Sequence, residues 1–249
     1  MSIIDNAWWD ELADDWWDPT GPVRALHEVN PVRLDYFLGA LGDVRGKRLL
    51  DLGCGAGLMT EAYAAAGADA IGIDIAQRSL RAGRRHARDH SPTIIRPHYV
   101  GARAESLPFP DASFDAVCTA DALEHVHDLP AVLDEAARVL RPGGIFVFDT
   151  VNRTWLSRLV MLWLVQDLLR WAPRYTHTYR GFIPPHDLRR DLEQRGLIWR
   201  DLRGLSLQRN AIVAGWRYAR GRTFGGFALS DDTRISYVGY AIKPSLPHA

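Results

Sequence analysis

Leu49-Leu50-Asp51-Leu52-Gly53-Cys54-Gly55-Ala56-Gly57 decides how this chain is read. An apolar run that carries an acid enters a turn with glycine at every second position. Glycine there admits positive φ and lets a ligand approach the backbone closely. Thr60 to Ala66 reads as the start of a helix behind the turn, whose free N–H groups point at whatever sits there. A second apolar strand, Ala70-Ile71-Gly72-Ile73-Asp74, also ends in an acid. An acid about 20 residues past such a turn is where nucleotide-binding folds hold ribose hydroxyls.

The form of the turn narrows the ligand. Dinucleotide folds use G-x-G-x-x-G. This turn is D-x-G-x-G-x-G, and the acid before it suits an ammonium group rather than a pyrophosphate. The stretch resembles motif I of the class I methyltransferases that use S-adenosylmethionine (SAM). Leu140-Arg141-Pro142-Gly143-Gly144, before Ile145-Phe146-Val147-Phe148, is similar to that family too. The resemblance implies an α/β, Rossmann-like class I methyltransferase fold. Its sheet is expected to be mostly parallel and seven-stranded, with helices on both faces and an antiparallel C-terminal strand pair.

The pattern along the chain agrees. Strands are expected at 48–53, 69–74, 97–101, 114–119 and 145–150, alternating with helices at 58–66, 77–89 and 129–139. Such alternation predicts a parallel sheet covered on both faces, with ligands at the carboxyl ends of its strands. Residues 1–249 read as a single domain with two additions. The first, 1–45, is a helical cap: one helix begins between Asn6 and Asp15, and one or two more lie around Asn30-Pro31. The second, 152–185, is an apolar insertion followed by a helix at 186–195. Residues 155–171 are too interrupted by Arg158, Asp167 and Arg170 to span a bilayer. They fit an interior helix, a lid over a greasy substrate, or a membrane-surface contact. The tail offers strands near 197–203 and 235–242. The loop between them is rich in Gly and Arg, with Arg217, Arg220 and Arg222 as a solvated face.

Composition removes several classes. Thirty basic residues balance thirty acidic ones, so nothing suggests the electrostatic footprint of a nucleic-acid binder. The two cysteines, Cys54 and Cys118, fall in expected core segments and fit a reduced, cytoplasmic setting. The N-terminus carries no apolar leader pattern. There is no zinc-ligand spacing and no Ser-His-Asp or Cys-His arrangement.

Gly53, Gly55 and Gly57 are expected to admit the methionine end of SAM, and Asp51 to orient its ammonium group. Asp74, followed by Ile75, is expected at the ribose, and Ala104 with Glu105 near the adenine edge; a helix N-terminal charge is the other reading of Glu105. The second informative stretch is Ala120-Asp121-Ala122-Leu123-Glu124-His125-Val126. On one helical turn Asp121, Glu124 and His125 share a face. His125 then serves as a general base, since a phenol with a pKa of about 10 gains from one. Alternatively Asp121, Glu124 and His125 bind Mg²⁺, which lowers the pKa of a catecholic hydroxyl and orients it. A capping and salt-bridge role is the third reading. Methyl transfer is an in-line displacement governed by alignment, so a snug pocket matters more than a covalent nucleophile.

Trp16-Trp17-Asp18, Leu26-His27, Asn30-Pro31-Val32-Arg33, Leu123-Glu124-His125-Val126, Asn152-Arg153 and Phe182-Ile183-Pro184-Pro185 together resemble the O-methyltransferases of ubiquinone biosynthesis. The resemblance covers most of the chain. It implies SAM contacts from Arg33, Gly53, Asp74 and Ala120, an insertion that bears on lipid or a prenyl tail, and O-methylation of a hydrophobic phenolic or quinol substrate. It also implies a cytoplasmic protein, peripheral on the inner face of a membrane. Three departures stand out. Asp121 replaces the usual Glu, Ala120 the common Met, and 215–228 is longer. They leave room for an acceptor from specialised metabolism, for C-methylation, or for a non-catalytic SAM-binding partner of a biosynthetic complex.

Overall fold

Asp51 and its neighbours form β1 (Arg48–Leu52), the strand from which the sheet grows both ways. In the computed structural model, which describes residues 7–90, 96–168 and 177–245, β1 pairs in parallel with β2 (Asp69–Asp74) on one side and β4 (Phe114–Thr119) on the other. β3 (His98–Gly101) extends the β2 side, and β5 (Leu140–Val151) the β4 side, both parallel. The chain then turns back. β8 (Ser236–Ile242) runs antiparallel to β5, and β6 (Ile198–Leu207) lies antiparallel to β8. All seven expected strands are present. An eighth, β7 (Phe227–Ser230), pairs with β6 at the edge. Its four residues lie in the segment read from sequence as a loop, and four residues are too few to show a strand period.

The direction of growth reverses at β1, so the crevice between the carboxyl ends of β1 and β4 is the topological switch point where ligands of such sheets bind. The helices follow from the alternation of side chains. Leu50, Leu52, Val117, Phe146 and Phe148 face one side with α5 (Leu129–Val139) and α7 (Pro185–Gln194). Leu49, Ala116, Cys118 and Val147 face the other with α2 (Arg24–Leu41) and α3 (Leu58–Ala65). α4 (Gln77–His90) follows β2.

The cap differs from its expectation in one respect. Around Asn30-Pro31 there is one helix, α2, with Pro31 inside it. Val29, Arg33, Phe37 and Leu41 recur every fourth residue and are all buried; this packing outweighs the hydrogen bond that proline removes. Ahead of α2, α1 (Ala7–Glu11) and a 3₁₀ turn at Leu12–Asp14 dock on α4. Asp10 accepts from the Arg78 backbone N–H, and Ser79 donates to the Trp9 carbonyl and accepts from Trp16 Nε1.

In the insertion, α6 (Trp155–Ser157) continues as a π-helical run over Arg158–Leu168; its last expected residues, 169–171, lie outside the described ones. No described helix is long and apolar enough to cross a membrane. The Gly/Arg-rich tail segment, for which the sequence pattern predicts a loop, contains α8 (Ala211–Ala219), capped by the Asn210 side chain.

Candidate active site

The glycine turn is built from backbone. Gly53, Gly55 and Gly57 all take positive φ, at 71°, 55° and 89°. Each also faces a close neighbour. A Cβ at Gly53 would lie 2.5 Å from the Ala122 methyl, one at Gly55 would lie 2.5 Å from the Trp16 ring, and one at Gly57 would strike the Tyr99 hydroxyl. Asp51 is buried and accepts a 2.6 Å hydrogen bond from Thr60 Oγ1 of α3. Burial pushes its carboxyl up to about 7, against the Thr60 bond. Asp74 accepts backbone N–H bonds from Gly55 at 2.9 Å and Ala76 at 2.8 Å, so the second acid clamps the turn that follows the first. Burial raises its pKa as well.

The turn after β4 is built from side chains. Asp121 has φ of 51° without being glycine. Its backbone N–H donates to Asp149 Oδ1 at 2.6 Å. Its carboxylate meets Arg33 Nη2 at 2.6 Å, while Arg33 Nε and Nη2 both lie 2.9 Å from Asp149 Oδ2. Arg33 Nη1 donates to Asn30 Oδ1 at 3.0 Å. One guanidinium is thus shared by two carboxylates. Burial works against the Arg33 charge, and the two acids overcome it and raise its pKa. Asp121, whose side chain is 32 % exposed, is held below the usual carboxylate range by Arg33, which outweighs its desolvation. Burial instead pushes the wholly enclosed Asp149 up to about 7.

This arrangement corrects the expected shared helical face. The short 3₁₀ turn begins only at Leu123 (Leu123–His125), and the left-handed Asp121 turns its carboxylate to Arg33. Glu124 lies inside the protein, where its Oε2 accepts from Thr150 Oγ1 at 2.8 Å and its Oε1 has no hydrogen-bond partner among the described residues. Burial, joined by the charges of Asp121 and Asp149, pushes Glu124 up to about 8. The group that gathers with Glu124 and His125 is His177 of the insertion; ligand atoms of these three lie within 4.8 Å of one another. The His125 and His177 rings are 5.0 Å apart, and Trp9 of the cap is 5.8 Å from His125. Gln166 Oε1 accepts from the His177 backbone N–H at 3.0 Å. Burial lowers the His177 pKa.

Arg33, Asp51, Gly53, Gly55, Asp74, Ile75, Ala104, Glu105, Ala120, Asp121, His125 and His177 line one cavity of about 310 Å³. Gly57 stands behind the wall as the residue before α3, and Glu124 beneath it. Glu105 starts no helix. It sits in a turn closed by the Arg103–Ser106 bridge, where it pairs with Arg103 and accepts from the His127 backbone N–H at 3.4 Å. The sequence reading passed over His177, Asp149 and Trp16 as site residues. Asp149 sits in an apolar strand and His177 at the end of an apolar insertion, where neither has a local motif; the Trp16-Trp17 pair was the available signal for a cap that touches the glycine turn.

A methyltransferase-domain family profile matches residues 50–148. A ubiquinone biosynthesis O-methyltransferase of Alkalilimnicola ehrlichii is 35% identical over 232 residues, 93% of this chain and 87% of that protein. The protein of the same name in Xylella fastidiosa is 36% identical over 234 residues, 94% of this chain and 89% of its own. Among solved structures, magnesium protoporphyrin IX methyltransferase of Synechocystis PCC 6803, with bound SAH, superposes with a TM-score of 0.67 at 17% identity, covering 96% of this chain and 98% of that one. A Haloferax volcanii methyltransferase solved with the Trm112 activator gives 0.66 at 20% identity, covering 95% and 97%. Those two share the fold; the closer sequence relatives fix the family. The chain belongs to the ubiquinone-biosynthesis O-methyltransferase family and is a SAM-dependent O-methyltransferase.

Proposed function

We propose that this enzyme methylates a hydroxyl of a hydrophobic phenol or catechol, a polyprenylated quinol precursor, with His125 as the general base. The observation that carries the reading is the position of His125, on the wall of a cavity it shares with the glycine turn and Asp74. The residues fit SAM. The glycine cradle has no room for side chains at 53, 55 or 57, and the Asp74 oxygens keep lone pairs beyond their backbone bonds for two ribose hydroxyls. In this assignment Asp51 and Arg33 orient the ammonium and carboxylate of the methionine end. Ile75, Ala104 and Glu105 border the adenine, and Ala120 flanks the donor. Bound SAM supplies a methyl group transferable in line from a sulfonium. The protein's part is alignment and removal of the acceptor proton by a His125 ring nitrogen. Residues 1–45 act as the cap and 152–185 as the acceptor-side insertion. Trp155, Leu159 and Trp163, 73 %, 44 % and 55 % exposed, give the 155–171 segment a membrane-surface contact that keeps a cytoplasmic enzyme near a prenylated acceptor.

A divalent cation at the base is the second reading, favoured by the grouping of Glu124, His125 and His177. This set replaces the Asp121-containing one, because Asp121 is engaged by Arg33. Two imidazoles and one carboxylate suit a transition metal better than Mg²⁺.

Turnover of SAM with short-chain prenylated catechols and plain phenols, with Mg²⁺, Mn²⁺ or EDTA, tests both readings. His125→Ala is expected to lower kcat by about 10²–10⁴-fold with SAM affinity unchanged. Loss of activity in EDTA, restored by a metal, replaces the base with the cation. No turnover on any phenol, with SAM bound normally, rules out the acceptor class.

A further inference from the structure

Two aromatic residues of the tail line the same cavity as Gly53 and His125. Tyr218 lies in the last turn of α8 and is buried. Phe224 follows in the turn toward β7. Their rings stack at 4.0 Å, within 9° of parallel. Neither has a part in holding SAM or in removing the acceptor proton.

The pair is fastened from several sides. The Arg24 guanidinium of α2 lies 3.8 Å over the Tyr218 ring, and its Nη2 donates to the Tyr218 carbonyl at 3.0 Å. One turn further along α2, Glu28 Oε1 accepts from the Phe224 N–H at 2.9 Å. Arg217 Nε donates to the Thr223 carbonyl at 3.2 Å, which ties α8 to the turn. Phe227 of β7 meets the Phe224 ring edge-on at 5.9 Å. The two rings therefore form a fixed wall rather than a loose loop.

α2 serves as a ruler for where this wall stands. Arg33 is level with Asp121 and Asp149, at the carboxyl ends of the strands. Arg24 comes nine residues earlier in the same helix. At 1.5 Å per residue the wall stands about 13 Å from Arg33 along the axis. A single phenol ring with its hydroxyl at His125 does not reach that far, whereas a substituent on the ring does. Val23 and Leu26 of α2 and Met161 of the insertion add apolar lining to the cavity. Arg24 Nη2 and Glu28 Oε1 are turned to backbone groups, so a polar substituent here would give up water for little in return.

We propose that Tyr218 and Phe224 are specificity-determining residues: their stacked rings receive a hydrocarbon substituent of the acceptor, and through it the enzyme selects a substituted phenol over the bare ring. The proposal rests on the phenolic acceptor assigned above and adds the part of the chain that reads the substituent.

The test is kcat/KM of the full chain for catechol and for catechols carrying one or two isoprene units, all short enough to stay in solution. The ratio of substituted to bare catechol is the readout, because a general loss of folding or of SAM affinity lowers both terms and cancels. Wild type is expected to prefer the substituted rings, most strongly with two units. Phe224→Ala should lower that preference about tenfold, chiefly through KM, and more for two units than for one. Phe224→Leu, which keeps an apolar side chain, should restore most of it. Tyr218→Leu should lower it in the same direction. Ratios that Phe224→Ala leaves at the wild-type value overturn the proposal, as does an equal loss on all three catechols, which is what a merely structural role would give. Absence of turnover on any catechol by the wild type overturns the acceptor class and this proposal with it; turnover with unmoved ratios overturns this proposal alone.

Discussion

β1 and β4 are neighbours in the sheet, and the turns that follow them line the same cavity, yet different forces hold the two turns. The turn at 53–57 is a backbone device. Its three glycines take positive φ at no steric cost, and its contacts to Asp74 and α3 come from the adjoining β–α units. The turn at 120–125 has no glycine. Asp121 takes a left-handed conformation that costs a residue with a Cβ about 1–2 kcal/mol, and ionic contacts from two distant segments hold it there: Arg33 from the cap and Asp149 from β5. The hydrogen bonds of the first turn lie within β1, β2 and α3, and the cap only packs on it through Trp16. The second takes its ion pair from Arg33 of the cap, so the acceptor side of the cavity depends on a segment outside the central sheet.

The sharpest way to break the comparison is Arg33→Met. It strands Asp149 in the interior without its counter-charge, and removing one partner of a buried ion pair costs about 3–5 kcal/mol. Urea unfolding should show a loss of that size. Arg33→Met/Asp149→Asn should recover part of it, because the uncompensated carboxylate is then gone. A single variant as stable as wild type would mean that the cap does not hold the second turn.

Gly57→Ala attacks the other turn. At φ of 89°, with the Tyr99 hydroxyl in the way, the added Cβ meets both backbone strain and a clash. Strain and clash are present with or without SAM, so urea unfolding should show a loss of about 1–3 kcal/mol, and SAM affinity, read by calorimetry, should fall as the turn rearranges. Unlike the Arg33→Met loss, this one should not be recovered by Asp149→Asn; recovery would erase the distinction between backbone and ionic control.

Titration separates the turns more gently. Burial raises Glu124 to about 8, so its proton is retained in the folded state over a range in which the unfolded chain has released it. A raised acid of this kind gives stability that is present below the unfolded pKa of about 4.3 and is lost as pH rises through the folded value. Wild type should therefore weaken between pH 5 and pH 8 by on the order of 3–4 kcal/mol more than Glu124→Gln does, measured as urea midpoints at each pH. Parallel profiles would place a charged Glu124 in the folded protein and strengthen the cation reading.

The same contrast explains what was legible in the sequence. Asp51, Gly53, Gly55, Gly57 and Asp74 were readable because their conformations follow from residue type and short spacing; the five parallel strands followed from the same local alternation. Asp121, Glu124 and His125 were readable as a group but not as a geometry. The helical spacing rule presumes helical φ, and Asp121 is held out of it by residues from the cap and from β5. His177 joins His125 only through the folded insertion, so no spacing announces it. α8 and β7 were hidden for another reason: Tyr218 and Phe224, set among glycines and arginines that read as loop, pack there on a cap whose position the local sequence does not specify.

Asp121 itself offers the finest discrimination. Asp121→Ala and Asp121→Gly both remove the carboxylate from Arg33, so they share the loss of one partly exposed ion pair. They differ only in what φ of 51° costs. Alanine keeps the left-handed strain. Glycine relieves it but gives up some unfolded-chain restriction. The glycine variant should therefore be the more stable of the two by roughly 0.5–1 kcal/mol, a shift that paired urea curves resolve. The acceptor side should respond in the opposite sense, because a glycine at 121 lets the turn carrying His125 sample other conformations once Arg33 no longer holds it. The expected result is a stabler protein with a lower kcat than Asp121→Ala at equal SAM affinity. If the two variants are equally stable, Asp121 carries no stored strain, and the second turn is held as passively as the glycine turn beside it.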